Sequence, residues 1–188
     1  MLNSFFDKYI FTNTLKYTHN NFYLVDIPFA MVPIDVLLEL CVLEDTQQRK
    51  KIYSSIKSST KSKLLPRMSG FTHEREKEIL LLKTFLSASG WGSIDIIDMH
   101  FDSKRAIVVV ENSPFANQLR GKSKFPVDVF MRGILAGAFS VFFKEDVDCV
   151  EAECFASGGE RCKFIVKPIA EFDLTSNLVK DQLFLGGL

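Results

Sequence analysis

Cys149-Val-Glu-Ala-Glu-Cys-Phe-Ala-Ser-Gly-Gly-Glu-Arg-Cys-Lys-Phe-Ile-Val166 decides how the chain folds, because its alternation and its glycines predict a β-hairpin with paired thiols near the turn. Ser157-Gly158-Gly159-Glu160 supplies the turn, and glycine takes a positive φ at little cost. Val150, Ala152, Cys154 and Ala156 alternate with Glu151, Glu153 and Phe155, and Cys162, Phe164 and Val166 continue the apolar side. With a turn centred on Gly158, Cys154 and Cys162 stand opposite each other, placed to share a metal ion or to form a disulfide.

Glu151-x-x-Cys154 followed by seven residues and Cys162 offers a carboxylate and two thiolates, a donor set suited to Zn²⁺. Two residues compete to be a fourth ligand: Cys149, at the start of the strand, and Asp128, at the start of a glycine-containing helix. Strict alternation points Cys149 and Glu151 away from Cys154. A metal site therefore predicts a β-bulge between 151 and 154, since one extra residue re-aims a side chain. The opposing reading makes Cys154 and Cys162 ordinary inward-facing core residues with solvated glutamates beside them, and spacing alone leaves both open.

Away from the hairpin, 188 residues with 47% hydrophobic content and 18 Phe are expected to bury one substantial core, as a single domain spanning 1–188. Twenty-three basic and 23 acidic residues leave no net charge, so no global field favours nucleic acid or an anionic membrane. No run approaches the ~20 apolar residues of a spanning helix, and the expectation is a soluble, cytoplasmic protein. Four cysteines are too few for a disulfide framework in a chain of this length. Cys41, alone in an apolar run, is expected to be a buried thiol.

In chain order, residues 1–31 form an amino-terminal extension in which Leu15 to Val25 suggests a hairpin turning at Asn20-Asn21. Pro33 opens a helix through Val42 that is apolar enough to be expected buried. From Thr46 to Ser62 an amphipathic helix is expected to fray into a Ser/Lys loop, with Arg49, Lys50, Lys51, Lys57, Lys61 and Lys63 on a solvated face. A helix capped near Thr72 runs to Ser89-Gly90, a second hairpin spans Ile94 to Glu111, and a helix covers about Val127 to Lys144. Gly133, Ala136, Gly137 and Ala138 cost that helix propensity unless something packs close to its backbone: the hairpin, a ligand or a second subunit. The tail, 169–188, is expected to be peripheral. Together these elements predict an α+β fold, an antiparallel sheet of about four strands covered on one face by three or four helices.

Gly90-Trp91-Gly92, Asn112-Ser-Pro-Phe115, Gly133-x-x-x-Gly137 and Glu151-x-x-Cys154-x7-Cys162 follow one another in the order found in the 4-vinyl reductase domain family, which the chain resembles best from about Ser87 to Pro168. That family is similar in fold to core subunits of the vesicle-tethering complex, to ligand-binding domains of NO signalling and to aromatic-sensing domains of phenol-responsive activators. The resemblance implies a structural zinc on Glu151, Cys154 and Cys162. In the aromatic sensors a further Cys lies five residues before the first helix glycine, where this chain has Asp128; Cys149 stays in contention. It also implies a buried pocket for a small hydrophobic ligand, for which Trp91, Phe101, Phe125, Phe130, Ile134, Phe139 and Phe142 are available lining, with His100 placed to add one hydrogen bond.

The function expected from this is a hydrocarbon- or aromatic-binding sensory domain, a homodimer acting without catalysis in regulation such as that of transcription, its output passing through a partner protein or dimer rearrangement. One alternative is an enzyme acting on a vinyl or tetrapyrrole-type substrate, against which the chain lacks a nicotinamide fingerprint and an evident proton-transfer pair. Another is a dimeric assembly module that packs its Gly/Ala helix against its symmetry mate.

Overall fold

The computed structural model describes residues 15–24, 27–69 and 74–183. A small antiparallel sheet comes first, with β1 (Leu15–Thr18), β2 (Asn21–Leu24) and β3 (Ile27–Phe29) in sequential order. The β1-β2 hairpin turns at His19-Asn20, one residue earlier than expected. Both residues have positive φ, 50° and 61°, the conformation whose twist matches the flanking strands.

Helix α1 (Ile34–Cys41) begins directly after Pro33 as expected, yet it is not a buried helix: of its residues only Cys41 is buried, and Val36 is 63% exposed. The body of the protein meets α1 on one side, where Ile34, Leu37 and Leu38 are partly buried, so apolar residues around the rest of its circumference have nothing to pack against.

Helix α2 (Thr46–Ser59) is capped by Asp45, whose carboxylate accepts from the N–H groups of Gln47 and Gln48 at 2.7 and 3.1 Å. Where fraying was expected, the chain continues through a π-turn, Thr60–Leu64, into α3 (Leu65–Ser69). Pro66 accounts for the wide turn, because a proline ring clashes with the carbonyl four residues back in a regular helix. Here the Leu65 N–H reaches back five residues to the Thr60 carbonyl.

Next come α4 (Arg75–Ala88), β4 (Ser93–His100), β5 (Arg105–Glu111), the short α5 (Pro114–Gln118), α6 (Val129–Phe143), β6 (Asp148–Glu153), β7 (Cys162–Lys167) and α7 (Asn177–Leu183). The cap expected at Thr72 lies outside the described residues. β4 to β7 form one antiparallel sheet in the order β4-β5-β7-β6, the four-stranded α+β arrangement expected. Ala106, Val108 and Val110 of β5 and Cys162, Phe164 and Val166 of β7 form its inner face, all essentially inaccessible.

Helix α6 lies between that face and α2 and is buried on all sides, matching its almost unbroken apolar sequence. Its small residues are explained by α2. A Cβ on Gly133 would stand 2.8 Å from Cβ and Cγ2 of Ile56, and one on Gly137 would stand 2.5 Å from the Lys57 carbonyl oxygen. The partner that approaches closely is thus a helix of the same chain, which leaves this face unavailable to the symmetry mate invoked by the assembly reading. Lys57 and Lys61, expected on a solvated face, instead reach Asp146 at 2.9 and 3.3 Å, and Lys57 also reaches Asp148 at 2.9 Å.

The tail is not peripheral. Phe172, Val179 and Leu183 form a second cluster with Val150, on the side of the sheet away from the main core. A strand exposes alternate residues on opposite faces, so Val150 needs a cover that the helices over Cys149 and Glu151 do not provide.

Candidate metal centre

The hairpin is built by a register change. Asp148, Cys149, Val150 and Glu151 pair with Lys167, Val166, Ile165 and Phe164 in turn, and the next pair is Glu153 with Lys163. Ala152 is the extra residue, the bulge that a metal site demands. It turns the strand so that Glu151 and Cys154 face the same interior, with Cys162 directly across from Cys154 at the next step of the ladder. The loop between the strands is longer than a tight turn. Phe155–Ser157 form one 3₁₀ turn, closed by Gly158 at a φ of 102°, and Gly159 N–H donates to the Cys154 carbonyl at 2.9 Å.

One carboxylate oxygen of Glu151 and the Sγ atoms of Cys154 and Cys162 lie within 4.8 Å of one another, and all three residues are buried. Glu151 Oε2 accepts from the Asp128 N–H at 3.0 Å, while Oε1 is buried with no hydrogen-bond partner among the described residues. An orphaned carboxylate oxygen in a water-free pocket with two thiols is costly unless a cation neutralises it. The residues therefore fit a metal ion, and a thiolate-rich set with one carboxylate suits a soft to borderline divalent cation.

Electrostatics point the same way. Burial raises Glu151 well above the usual carboxylate range and raises Asp128 to about 7, although the Ser113 hydroxyl, donating to Asp128 Oδ2 at 2.5 Å, works against the latter. Hydrogen bonding between the two thiols lowers Cys154 to about 5 and pushes Cys162 up. Acidic groups thus converge on one enclosed volume. The Phe155 N–H, 3.5 Å from Cys162 Sγ, adds a donor toward that sulfur.

Asp128 and Cys149, the two candidates for a fourth ligand, stand outside the compact trio. Asp128 is 1% exposed and immediately precedes α6, its N–H on Glu151 and its carboxylate on Ser113. Cys149 is two residues before Glu151 on the inner face; its N–H donates to the Tyr53 hydroxyl at 3.1 Å, its carbonyl accepts from Arg132, and burial pushes its thiol up.

Trp91, Phe115 and Phe130 form an aromatic cluster at the start of α6. Phe115 and Phe130 are stacked with centroids 5.4 Å apart and planes 18° apart, and Trp91 is 5.7 and 6.3 Å from them. Ile134, Phe139 and Phe142 are core residues of α6, and Phe101 packs on Phe143. Phe125 and His100 stand elsewhere: Phe125 is 66% exposed, and the exposed His100 ring is 2.9 Å from Asp98. A side chain facing water on the outer side of β4 has no path into the interior.

Residues that sequence reasoning missed surround the trio. Ser113 was legible, since Ser before Pro is a helix-start signal, and it does cap α5 while holding Asp128. Tyr53, Arg132 and Gln182 gave no local signal. Tyr53 donates to Asp148 at 2.8 Å under the Arg132 guanidinium, and Gln182 binds the backbone of Glu151.

An α+β domain whose closing hairpin carries a buried carboxylate and two thiols is the class that fold and site define. Residues 106–168 match the model of the 4-vinyl reductase domain family, and this segment bears out the resemblance read from the motifs. Over 98 residues, 52% of this chain, the sequence is 30% identical to the uncharacterized protein MJ0745 of Methanocaldococcus jannaschii; the chain spans about half the length of this curated relative. Among solved structures, the phenol-responsive sensory domain of the transcription activator PoxR, determined with phenol, matches 93% of this chain and 91% of its own with a TM-score of 0.69 and 15% identity. The trafficking protein particle complex subunit 3 of Naegleria fowleri, covalently bound to palmitic acid, matches 71% of this chain and 88% of its own with a TM-score of 0.50 and 12% identity. At these identities the structures share a fold. No helix among the described residues is long and apolar enough to cross a membrane.

Proposed function

We propose that the chain is a sensory domain for a small hydrophobic or aromatic molecule, braced by a structural Zn²⁺ on Glu151, Cys154 and Cys162. The observation that carries this reading is the buried trio with its orphaned carboxylate oxygen. Zinc bound there ties β6 to β7 and fixes the start of α6 through the Asp128 N–H. Asp128 is the nearer choice for a fourth ligand by chemistry, because a rotation of its carboxylate away from Ser113 needs no backbone movement, whereas the Cys149 backbone is held on both sides. A closed four-ligand site folds protein; it leaves no position for a reacting water.

The aromatic cluster stands two residues further along α6. Zinc binding orders Asp128, and Phe130 one half-turn on forms a wall with Phe115 and Trp91. A ligand burying ~200 Å² of apolar surface among such rings gains roughly 5 kcal/mol from transfer before association costs. The overall likeness to a phenol-sensing domain supports this choice of ligand class. A regulatory homodimer, with output through dimer rearrangement or a partner protein, completes the reading.

Elemental analysis of the purified chain, combined with native mass spectrometry and thermal melts across phenols and alkylbenzenes, tests it. One zinc per chain and a ligand-dependent rise in Tm are expected. Absence of stoichiometric metal would sink the zinc site, and a flat melt across the ligand series would sink the sensor.

A further inference from the structure

The last helix ends on the strand that carries Glu151. β6 is an edge strand, and an edge leaves backbone groups without a neighbouring strand. At Glu151 those groups are occupied. The Glu151 N–H donates to Gln182 Oε1 at 2.8 Å, and the Glu151 carbonyl accepts from Gln182 Nε2 at 2.9 Å. A side-chain carboxamide thus presents the donor and acceptor that the peptide of another strand would supply. Gln182 is itself 5% exposed, and its carbonyl accepts from the buried guanidinium of Arg132, whose Nε donates to the Cys149 carbonyl at 3.2 Å. Apart from this lock, α7 holds through Val179 and Leu183 in a small cluster separate from the main core.

We infer that α7 is a latch whose docking is coupled, through Gln182, to metal occupancy of the Glu151, Cys154 and Cys162 centre. The inference rests on the metal reading above. A cation on the Glu151 carboxylate fixes that residue in its bulged conformation, with its N–H and carbonyl aimed at Gln182. Without the cation, the buried carboxyls and thiols no longer share a counter-charge, the bulge relaxes, and Gln182 loses the only geometry in which both its bonds form. Coupling is reciprocal: whatever factor the metal contributes to docking of α7, docking contributes to metal affinity. Gln182 is therefore a positioning residue for the centre, and α7 carries the state of the centre to the surface.

Hydrogen exchange of the full chain, zinc-loaded and after chelation, tests the coupling, with zinc content measured on both samples. Chelation is expected to speed exchange of the α7 amides at least tenfold while β4 and β5 keep their protection. The isosteric Gln182→Met, which keeps the packing and removes both hydrogen bonds, is expected to show fast α7 exchange even with zinc present. In competition with a chelator it should bind zinc about 10–100-fold more weakly, the usual range for loss of an outer partner of a ligand. Asp181→Ala, an exposed change on the same helix, is expected to alter neither. If zinc falls from one equivalent to none and α7 exchange is unchanged, the coupling is wrong and the metal site stands. If the chain takes up no zinc that depends on Cys154 and Cys162, the metal reading fails and the latch with it.

Discussion

Glu151 has one carboxylate oxygen on the Asp128 N–H and the other without a hydrogen-bond partner among the described residues, so its environment is complete only with a cation. Cys154→Ser and Cys162→Ser are expected to abolish bound zinc and to lower stability by roughly 3 kcal/mol or more, because binding energy at a structural site is folding energy. Metal analysis and denaturant melts of the two variants check this. Asp128 gives a second outcome, seen after chelation. Its carboxyl titrates at about 7 when folded against 3.8 as a free side chain, so the folded chain holds the proton more tightly. Its contribution to stability is complete below pH 3.8 and is lost as pH rises through 7. The stability of the metal-free parent minus that of metal-free Asp128→Asn should fall over that window, as urea melts at about pH 4 and about pH 7.5 would show.

At the scale of elements, the contact between α2 and α6 sets the tolerance of the glycines. Alanine raises helix propensity by ~1 kcal/mol, but overpacking at a contact this close costs typically about 1–3 kcal/mol. Gly137→Ala meets backbone, the Lys57 carbonyl, and is expected to be net destabilising by about 2 kcal/mol. Gly133→Ala meets the side chain of Ile56, so adding Ile56→Ala should recover part of its loss while doing nothing for Gly137→Ala. A double-mutant cycle on each pair separates the cases. Tyr53→Phe removes the hydroxyl shared by Asp148 and the Cys149 N–H and should cost about 1–2 kcal/mol, as thermal or urea melts will read.

For the whole molecule, the surface question is α1. Val36 and Leu40 are exposed on a helix whose sequence is apolar around most of its circumference, on the side opposite its contact with the core. A homodimer using this helix is expected to dissociate when Val36 becomes Asp, with sedimentation moving from two chains to one and the zinc content unchanged. Unchanged mass would place the dimer elsewhere or deny it. Much of this architecture was legible beforehand. Period-two runs marked β4 to β7, and Gly158 and Gly159 placed the loop between the last two. The spacing of Glu151, Cys154 and Cys162 even required the bulge at Ala152.

Local chemistry is what the sequence by itself determined here: alternation, turn residues and ligand spacing act within a few residues, and they defined the α+β class and the three side chains that converge. Tertiary structure alone decided the rest. That α2 fills the groove over Gly133 and Gly137, that Gln182 completes the edge of β6, and that α1 stays at the surface depend on which faces meet between segments far apart in the chain. Packing choices of that range leave no periodic mark in either partner, because each satisfies only the shape and the unpaired groups the other presents.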